Sequence, residues 1–289
     1  MLRVAIFADI HGKFLLPFKL VEHYQNLYQE KIDLILQCGD MGAFPDKNKM
    51  DKATLRHALN DRDELGFSND FVKSHAEIAT YLDKLNINMY CVRGNHEDHA
   101  FLDELEYLAK LHDHPYFPID IYQRIWVCRT GVPFILQNKN EQLSVVGIGR
   151  IGDKKGRHHP QFIQNAEREQ LKKLGKKSPD IDILITHDKA SESKRGYGAF
   201  EIEDILDKIA FKYHFHGHTG EDYHVYLAEN GITHSVKIKE LEFNREGKLE
   251  YGCMIILEKY HDKHGEQLNF KVVALNDIIQ FMHKTWHYL

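Results

Sequence analysis

No apolar run in this chain reaches the roughly 18–20 residues that a membrane span requires. The opening segment MLRVAIFAD has a strand pattern, and it lacks the length and small-residue cleavage site of a secretory signal. A cytoplasmic protein without a membrane partner is therefore expected. Cysteine is scarce: Cys38, Cys91, Cys128 and Cys253 each lie in or beside a strand-like run, and no C-x-x-C occurs. That favours buried reduced thiols. Excess positive charge is missing too, with 38 Lys and Arg against 43 Asp and Glu and a net charge of −5. This argues against a protein held to nucleic acid by nonspecific attraction, while leaving room for a local basic patch. No repeat and no low-complexity stretch interrupts the chain.

What is present is the composition of a soluble, enzyme-sized globular chain: 289 residues, 43% hydrophobic and 28% charged. Histidine stands out at 20 residues, and neutral imidazole is the commonest metal ligand. Apolar runs at 3–9, 32–40 and 88–94 alternate with helical spacing at 14–30 and 72–86. Near-continuous apolar strands in that order imply a parallel sheet covered on both faces. Ligands of such sheets bind beyond the carboxyl ends of the strands. The polar stretch 44–75 reads as an insertion or lid, with a helix over DKATLRHALNDRDEL. Shorter strands follow residue 124, then a helix at about 160–174 and buried strands at 180–188 and 213–220. From 233 to 275 the pattern is an antiparallel meander, and 276–289 predicts an amphipathic helix capped by Asn276 and packed on the body through Phe281, Trp286, Tyr288 and Leu289. The whole reads as one domain, 1–289, in which 233–289 supplies the last strands of a second sheet and the terminal helix.

Five polar clusters share one placement, the end of an apolar strand. They are Asp9-Ile10-His11, Gly39-Asp40, Gly94-Asn95-His96-Glu97, Thr186-His187 and Gly217-His218-Thr219. Carboxylate, imidazole and amide oxygens form a mixed O/N donor set, suited to zinc, manganese, iron or cobalt rather than calcium. Two metals about 3.5–4 Å apart would share a ligand, and a carboxylate can bridge. Each cluster alone is weakly specific; all five in this order are not.

The order D-x-H, G-D, G-N-H-E, H, G-H resembles the calcineurin-like metallophosphoesterase superfamily over about residues 3–220. The resemblance implies an α/β fold, a four-layer α/β/β/α sandwich of two mixed sheets flanked by helices. It implies two divalent metal ions: one held by Asp9, His11 and Asp40, a second by Asp40, Asn95, His187 and His218, with Asp40 bridging. His96 would stand beside the metals as general acid, while hydroxide bridging the metals attacks phosphorus. Glu97 would orient loop backbone or His96, or else begin a solvated helix with Asp98 and His99. Gly94 would let the chain turn sharply out of the sheet.

One departure stands out. Many relatives end in G-H-x-H, whereas Gly220 stands here where the second His is expected. The first metal has fewer protein ligands, as in the phosphoprotein phosphatases, or His216 pairs with His218, or His224, Glu221 or Asp222 substitutes. The partner of His96 is open as well, with Asp46 one candidate. The expected substrate is a phosphate ester: a nucleotide, a nucleic acid or a phosphoprotein. Local similarity to RNA lariat debranching enzymes adds a phosphodiesterase alternative, although a Cys usually replaces Asp9 in those. Recognition residues are sought in Arg56 and Arg62 of the insertion, in the basic loop 150–159 with Arg150, Lys154, Lys155, Arg157, His158 and His159, in the loop 189–199, and at Arg93. A catalytically silent scaffold is disfavoured because the expected ligands are all present, and a nucleic-acid-binding module by the acidic balance and the lack of an exposed aromatic-basic repeat. Residue types alone leave the metal, the ester type and the oligomeric state open.

Overall fold

In the computed structural model, which describes residues 1–191 and 197–289, two sheets stack face to face. In chain order the elements are β1 (Leu2–Phe7), α1 (Leu15–Tyr28), β2 (Leu34–Gln37), α2 (Lys52–Ala58), α3 (Ala76–Leu85), β3 (Met89–Cys91), α4 (His99–Leu111), β4 (Tyr116–Pro118), β5 (Ile125–Cys128), β6 (Phe134–Gln137) and β7 (Gln142–Ile148). Then follow α5 (Asn165–Lys177), β8 (Ile183–Thr186), α6 (Phe200–Lys208), β9 (Tyr213–His216), β10 (His224–Leu227), β11 (His234–Lys237), β12 (Ile255–Asp262) and β13 (Gly265–Val272). The first sheet runs β13-β12-β1-β2-β3-β5-β4 and the second β10-β11-β9-β8-β7-β6. Each has a parallel centre and antiparallel edges. Among the described residues no helix is long and apolar enough to cross a membrane.

Side-chain alternation divides the apolar residues among three cores. Along β1, Leu2, Val4 and Ile6 point between the sheets, while Ala5 and Phe7 pack under α1, α3 and α4. In the second sheet Val145, Ile183, Ile185 and Phe215 face inward, and Val146, Ile148 and Leu184 meet α5 and α6. Strands buried on both faces read as unbroken apolar runs, which is why the central strands are legible from sequence. The four-layer sandwich is therefore observed. The cysteines are all free and buried, as expected.

The C-terminal region differs from expectation. Only β11 joins the second sheet, and it does so parallel to β9. The β12–β13 hairpin instead extends the first sheet, with β12 antiparallel to β1 and Leu257 opposite Val4. Hydrophobic period fixes which face of a strand is buried but not which neighbour it pairs with. Residues 276–289 form no α-helix: they hold two short 3-10 turns, Leu275–Ile278 and Trp286–Tyr288. Trp286 Nε1 and His287 Nε2 donate to the two carboxylate oxygens of Asp63 at 2.9 and 2.8 Å, which ties the tail to the insertion and overrides its helical spacing. Phe281 and Trp286 are buried, so the tail does pack on the body; Tyr288 and Leu289 are exposed. The short strand β4 was not expected from the pattern. Leu257 lies in the inter-sheet core; Leu257→Ala should cost about 2–5 kcal/mol in urea unfolding and leave metal binding unchanged.

Candidate metal centre

The expected ligands converge from both sheets. β1 delivers Asp9 and His11, β2 Asp40 and β3 Asn95, while β8 and β9 of the second sheet deliver His187 and His218. Asp9, Asp40 and His187 are almost wholly buried. One oxygen of Asp40, Oδ1, accepts the backbone N–H groups of Asn95 and His96 at 2.7 and 2.9 Å and lies 3.3 Å from His187 Nε2. The other, Oδ2, is 3.9 Å from His11 Nε2. His187 Nδ1 meets the Cys38 carbonyl at 3.0 Å, which turns Nε2 toward Asn95 Oδ1, also at 3.0 Å. Among the described residues, Asp9, His11 and Asp40 form one candidate metal-binding group and Asp40, His187 and His218 another, with ligand atoms within 4.8 Å in each. Asp40 belongs to both.

The backbone bends unusually to make this arrangement. Asp9, His11, Asp40 and His218 have φ of 49°, 40°, 51° and 67°, the left-handed region. Such residues cost on the order of 1 kcal/mol or more each and cluster at functional sites. Gly94 answers a different need from the one expected. Its φ is ordinary, and a Cβ there would collide with the carboxylate and backbone of Asp40. A Cβ on Gly217 would likewise strike the Asp9 carboxylate.

Burial and mutual charge set the electrostatics of the site. Burial lifts the Asp9 carboxyl to about 7, with the His187 charge opposing that rise. Burial also works against charge on Asp40, but His187 outweighs it and holds this carboxyl well below its usual range. His187 rises to about 10 against the pull of burial, through the charge and hydrogen bond of Asp40. Buried carboxylates, imidazoles and an amide oxygen, with no thiolate, fit a divalent ion with O/N preference.

His96 has a partner that no motif in the sequence marks, Asp51. Its Nδ1 lies 2.9 Å from Asp51 Oδ2 and 3.2 Å from the Thr54 hydroxyl. Asp51 is the N-cap of α2: its Oδ1 accepts Ala53 N and Thr54 N, which fixes Oδ2 toward the imidazole. Burial lowers the His96 pKa, but Asp51 and Asp40 overcome it and raise it to about 9. Asp46 instead caps the turn at Lys47–Lys49. Glu97 is buried and orients loop backbone: Oε1 accepts Met41 N at 2.8 Å and Gly94 N at 3.2 Å, and Oε2 accepts Ala43 N at 2.8 Å. The solvated helix start is thus confined to Asp98, the N-cap of α4; His99 is buried beside Arg150.

Several expected contributors are occupied elsewhere. Arg93 ion-pairs with Asp103 and Glu106, and Arg150 with Asp103 and Glu167, both buried. These cations brace α4 and α5 and do not face solvent. Lys154 donates to the Tyr197 carbonyl, and Arg157 stacks on Phe162. Lys155, His158 and His159 are exposed, as are Arg56 and Arg62. Of the loop 189–199, residues 192–196 lie outside the described residues. None of the substitutes considered for the missing His joins the candidate groups among the described residues. His216 is buried against His214, 3.3 Å from the Tyr226 hydroxyl. His224 meets the Asp222 carbonyl, Glu221 pairs with Lys189, and Asp222 pairs with Lys239. Instead Glu64 and Glu242 group with His11, two residues that no motif marks. Glu97→Gln should lower stability by about 1–3 kcal/mol in chemical denaturation, because an NH2 group would then face a backbone donor.

Comparison with known proteins places this geometry in context. The family model described as calcineurin-like phosphoesterase matches residues 2–222. A lariat debranching enzyme of Arabidopsis thaliana is 26% identical over 106 residues, which is 37% of this chain and 23% of that protein. The likeness thus spans about a quarter of that relative's length. A crystal structure of TT1561 of Thermus thermophilus is 14% identical, covers 94% of this chain and 99% of its own, and superposes with a TM-score of 0.50, a likeness of fold. A 5'-nucleotidase from Candida albicans is 11% identical, over 97% of this chain and 52% of its own, with a TM-score of 0.44.

Proposed function

The chain belongs to the calcineurin-like phosphoesterase family, a metal-dependent phosphoester hydrolase, and we propose that it works with two divalent ions bridged by Asp40. The observation that carries this reading is the split carboxylate: Oδ2 faces His11 while Oδ1 faces His187, so a single side chain serves both ligand groups. Asp9, His11 and Asp40 would hold one ion, and Asp40, Asn95, His187 and His218 the other, with manganese, iron or zinc suited to the donors. What such ions supply when bound is neutralisation of the ester's charge and acidification of water.

The chain's own residues do the rest. His96 is the general acid. With Nδ1 committed to Asp51, the proton for the leaving oxygen is carried on Nε2. The Asp51 carboxylate beside the imidazole raises the ring's pKa and so favours the protonated form an acid needs. Asp51 is a positioning residue that orients the ring and sustains its charge. Glu97 holds the 41–43 backbone to the 94–97 loop and so keeps Asp40 and Asn95 in register. The substrate is a phosphate ester drawn from nucleotides, nucleic acids or phosphoproteins. The partial likeness to a lariat debranching enzyme favours including a phosphodiester, and RNA among the nucleic acids.

The test is hydrolysis of bis-p-nitrophenyl phosphate and p-nitrophenyl phosphate with added manganese. We expect cleavage of at least one ester, abolished by a chelator and restored by metal, and losses of roughly 10²-fold or more in His96→Ala and Asp40→Asn. Failure of both esters and of nucleotide, RNA and phosphoprotein substrates would overturn the reading. Asp51→Asn should move the alkaline limb of kcat to lower pH. Asp51 raises the His96 pKa, so without its charge the acid form is lost earlier as pH rises. An unmoved limb would remove Asp51 from this role.

A further inference from the structure

A cavity of about 110 Å³ borders both His11 and His96, with Thr54, His57, Glu64 and Glu242 on its other sides. The leaving oxygen of an ester takes its proton from His96, so the rest of the leaving group must lie beside that ring. This cavity is space that His96 shares with His11 of the first ligand group, and it has room for a small polyol or one sugar unit. Its lining is polar, and part of that lining is uncommitted. The Thr54 hydroxyl already donates to Asp51 Oδ2 at 2.6 Å. Glu64 is 4% exposed, and its Oε2 is buried with no hydrogen-bond partner among the described residues. A buried polar oxygen left without a partner is costly, and it marks a place where a ligand group belongs. Burial favours the neutral carboxyl at Glu64, a form that donates as well as accepts. Glu242 Oε1 stands 3.8 Å from His11 Nε2 and 3.9 Å from Lys13 Nζ, too far for a hydrogen bond to either.

The backbone sets these walls. Leu241 N donates to the Ala8 carbonyl at 2.9 Å, which seats Glu242 beside the loop that carries Asp9 and His11. The turn Arg62–Leu65 packs so closely on Gly12 that a Cβ there would strike the backbone of Asp63 and Glu64. Thr54 and His57 lie three residues apart on α2 and so share one face of it.

We propose that this cavity receives the leaving group, and that Glu64 and Glu242 select one bearing free hydroxyls, a sugar or another polyol. This rests on the phosphoester reading given above, with His96 as the acid. The bond from phosphorus to the leaving oxygen breaks, that oxygen takes the proton of His96 Nε2, and other hydroxyls of the same group bond to Glu64 and Glu242. Ribose esters such as nucleotides and RNA offer such hydroxyls, whereas the side chains of phosphoserine and phosphothreonine do not. An apolar leaving group would leave Glu64 buried and unpaired, a penalty that separates substrates more sharply than apolar contact does.

The test compares release of glycerol from glycerol 3-phosphate with release of propanol from propyl phosphate, and repeats the pair as methyl diesters, with added manganese. Both leaving groups are three-carbon primary alcohols, so free hydroxyls are the main difference. We expect wild-type kcat/KM to favour the glycerol ester by about tenfold or more. Glu64→Met, which removes both oxygens at similar volume, and Glu242→Met should each lower that ratio severalfold. Glu64→Gln keeps a donor and an acceptor and should retain more of it. Each variant is checked for folding by denaturation; Glu242 is partly exposed, so its variant tests the idea even where Glu64→Met does not fold. Because the readout is a ratio, a general loss of activity does not imitate the effect. No preference for glycerol in the wild type, or a ratio unchanged in the folded Met variants, would overturn this inference and leave the cavity to water. Hydrolysis of the p-nitrophenyl esters would in that case keep the phosphoester reading in place. No hydrolysis of any of these esters would overturn both.

Discussion

The carboxylate of Asp40 is pinned by the N–H groups of Asn95 and His96 on one oxygen, while its other oxygen looks toward His11. Those contacts join the ends of β2 and β3, and the approach of His187 joins them to β8 of the opposite sheet. A buried anion must be matched by charge or donors, and here the match is drawn from both sheets at once. The inter-sheet core and the polar mouth thus depend on each other. The apolar side chains set the spacing of the sheets, and that spacing brings His187 within reach of Asp40. The tight backbone at Gly94 and Gly217 follows from the same crowding.

Left-handed conformations at Asp9, His11, Asp40 and His218 express the cost of that crowding. An extended strand points successive side chains to opposite faces. Residues two apart, such as Asp9 and His11, share a face but stand about 6–7 Å apart along the strand, so aiming both at one point requires the chain to leave the strand geometry abruptly. The hydrogen bonds that follow, such as His11 N to the Asp40 carbonyl at 3.1 Å and Gly12 N to the Met41 carbonyl at 2.7 Å, knit the two loops together and hold the bend.

The strand ends that form the candidate metal centre are legible because each couples an apolar run to an abrupt polar tip, a pattern confined to neighbouring residues. Asp51 is not, since its role arises when an insertion folds back 45 positions along the chain onto His96. Glu64 and Glu242 sit in ordinary-looking polar stretches, and only the contacts of Gly12 and Leu241 bring them to His11. Arg93 and Arg150 misled for the opposite reason: a basic residue near a motif suggests phosphate, but acids on α4 and α5 had already claimed both. Alternation carries no information about neighbours, so the pattern over residues 255–272 does not tell which sheet the β12–β13 hairpin extends.

Asp51 and Glu64 ride on the same segment, 44–75, and the C-terminal tail is tethered to it through Asp63. A displacement of that segment would withdraw the carboxylate beside His96 and a cavity-lining carboxylate in one movement. The surroundings of His96 and of His11 are thereby put in mechanical series. Forces applied to the chain's last few residues have a short physical route to both.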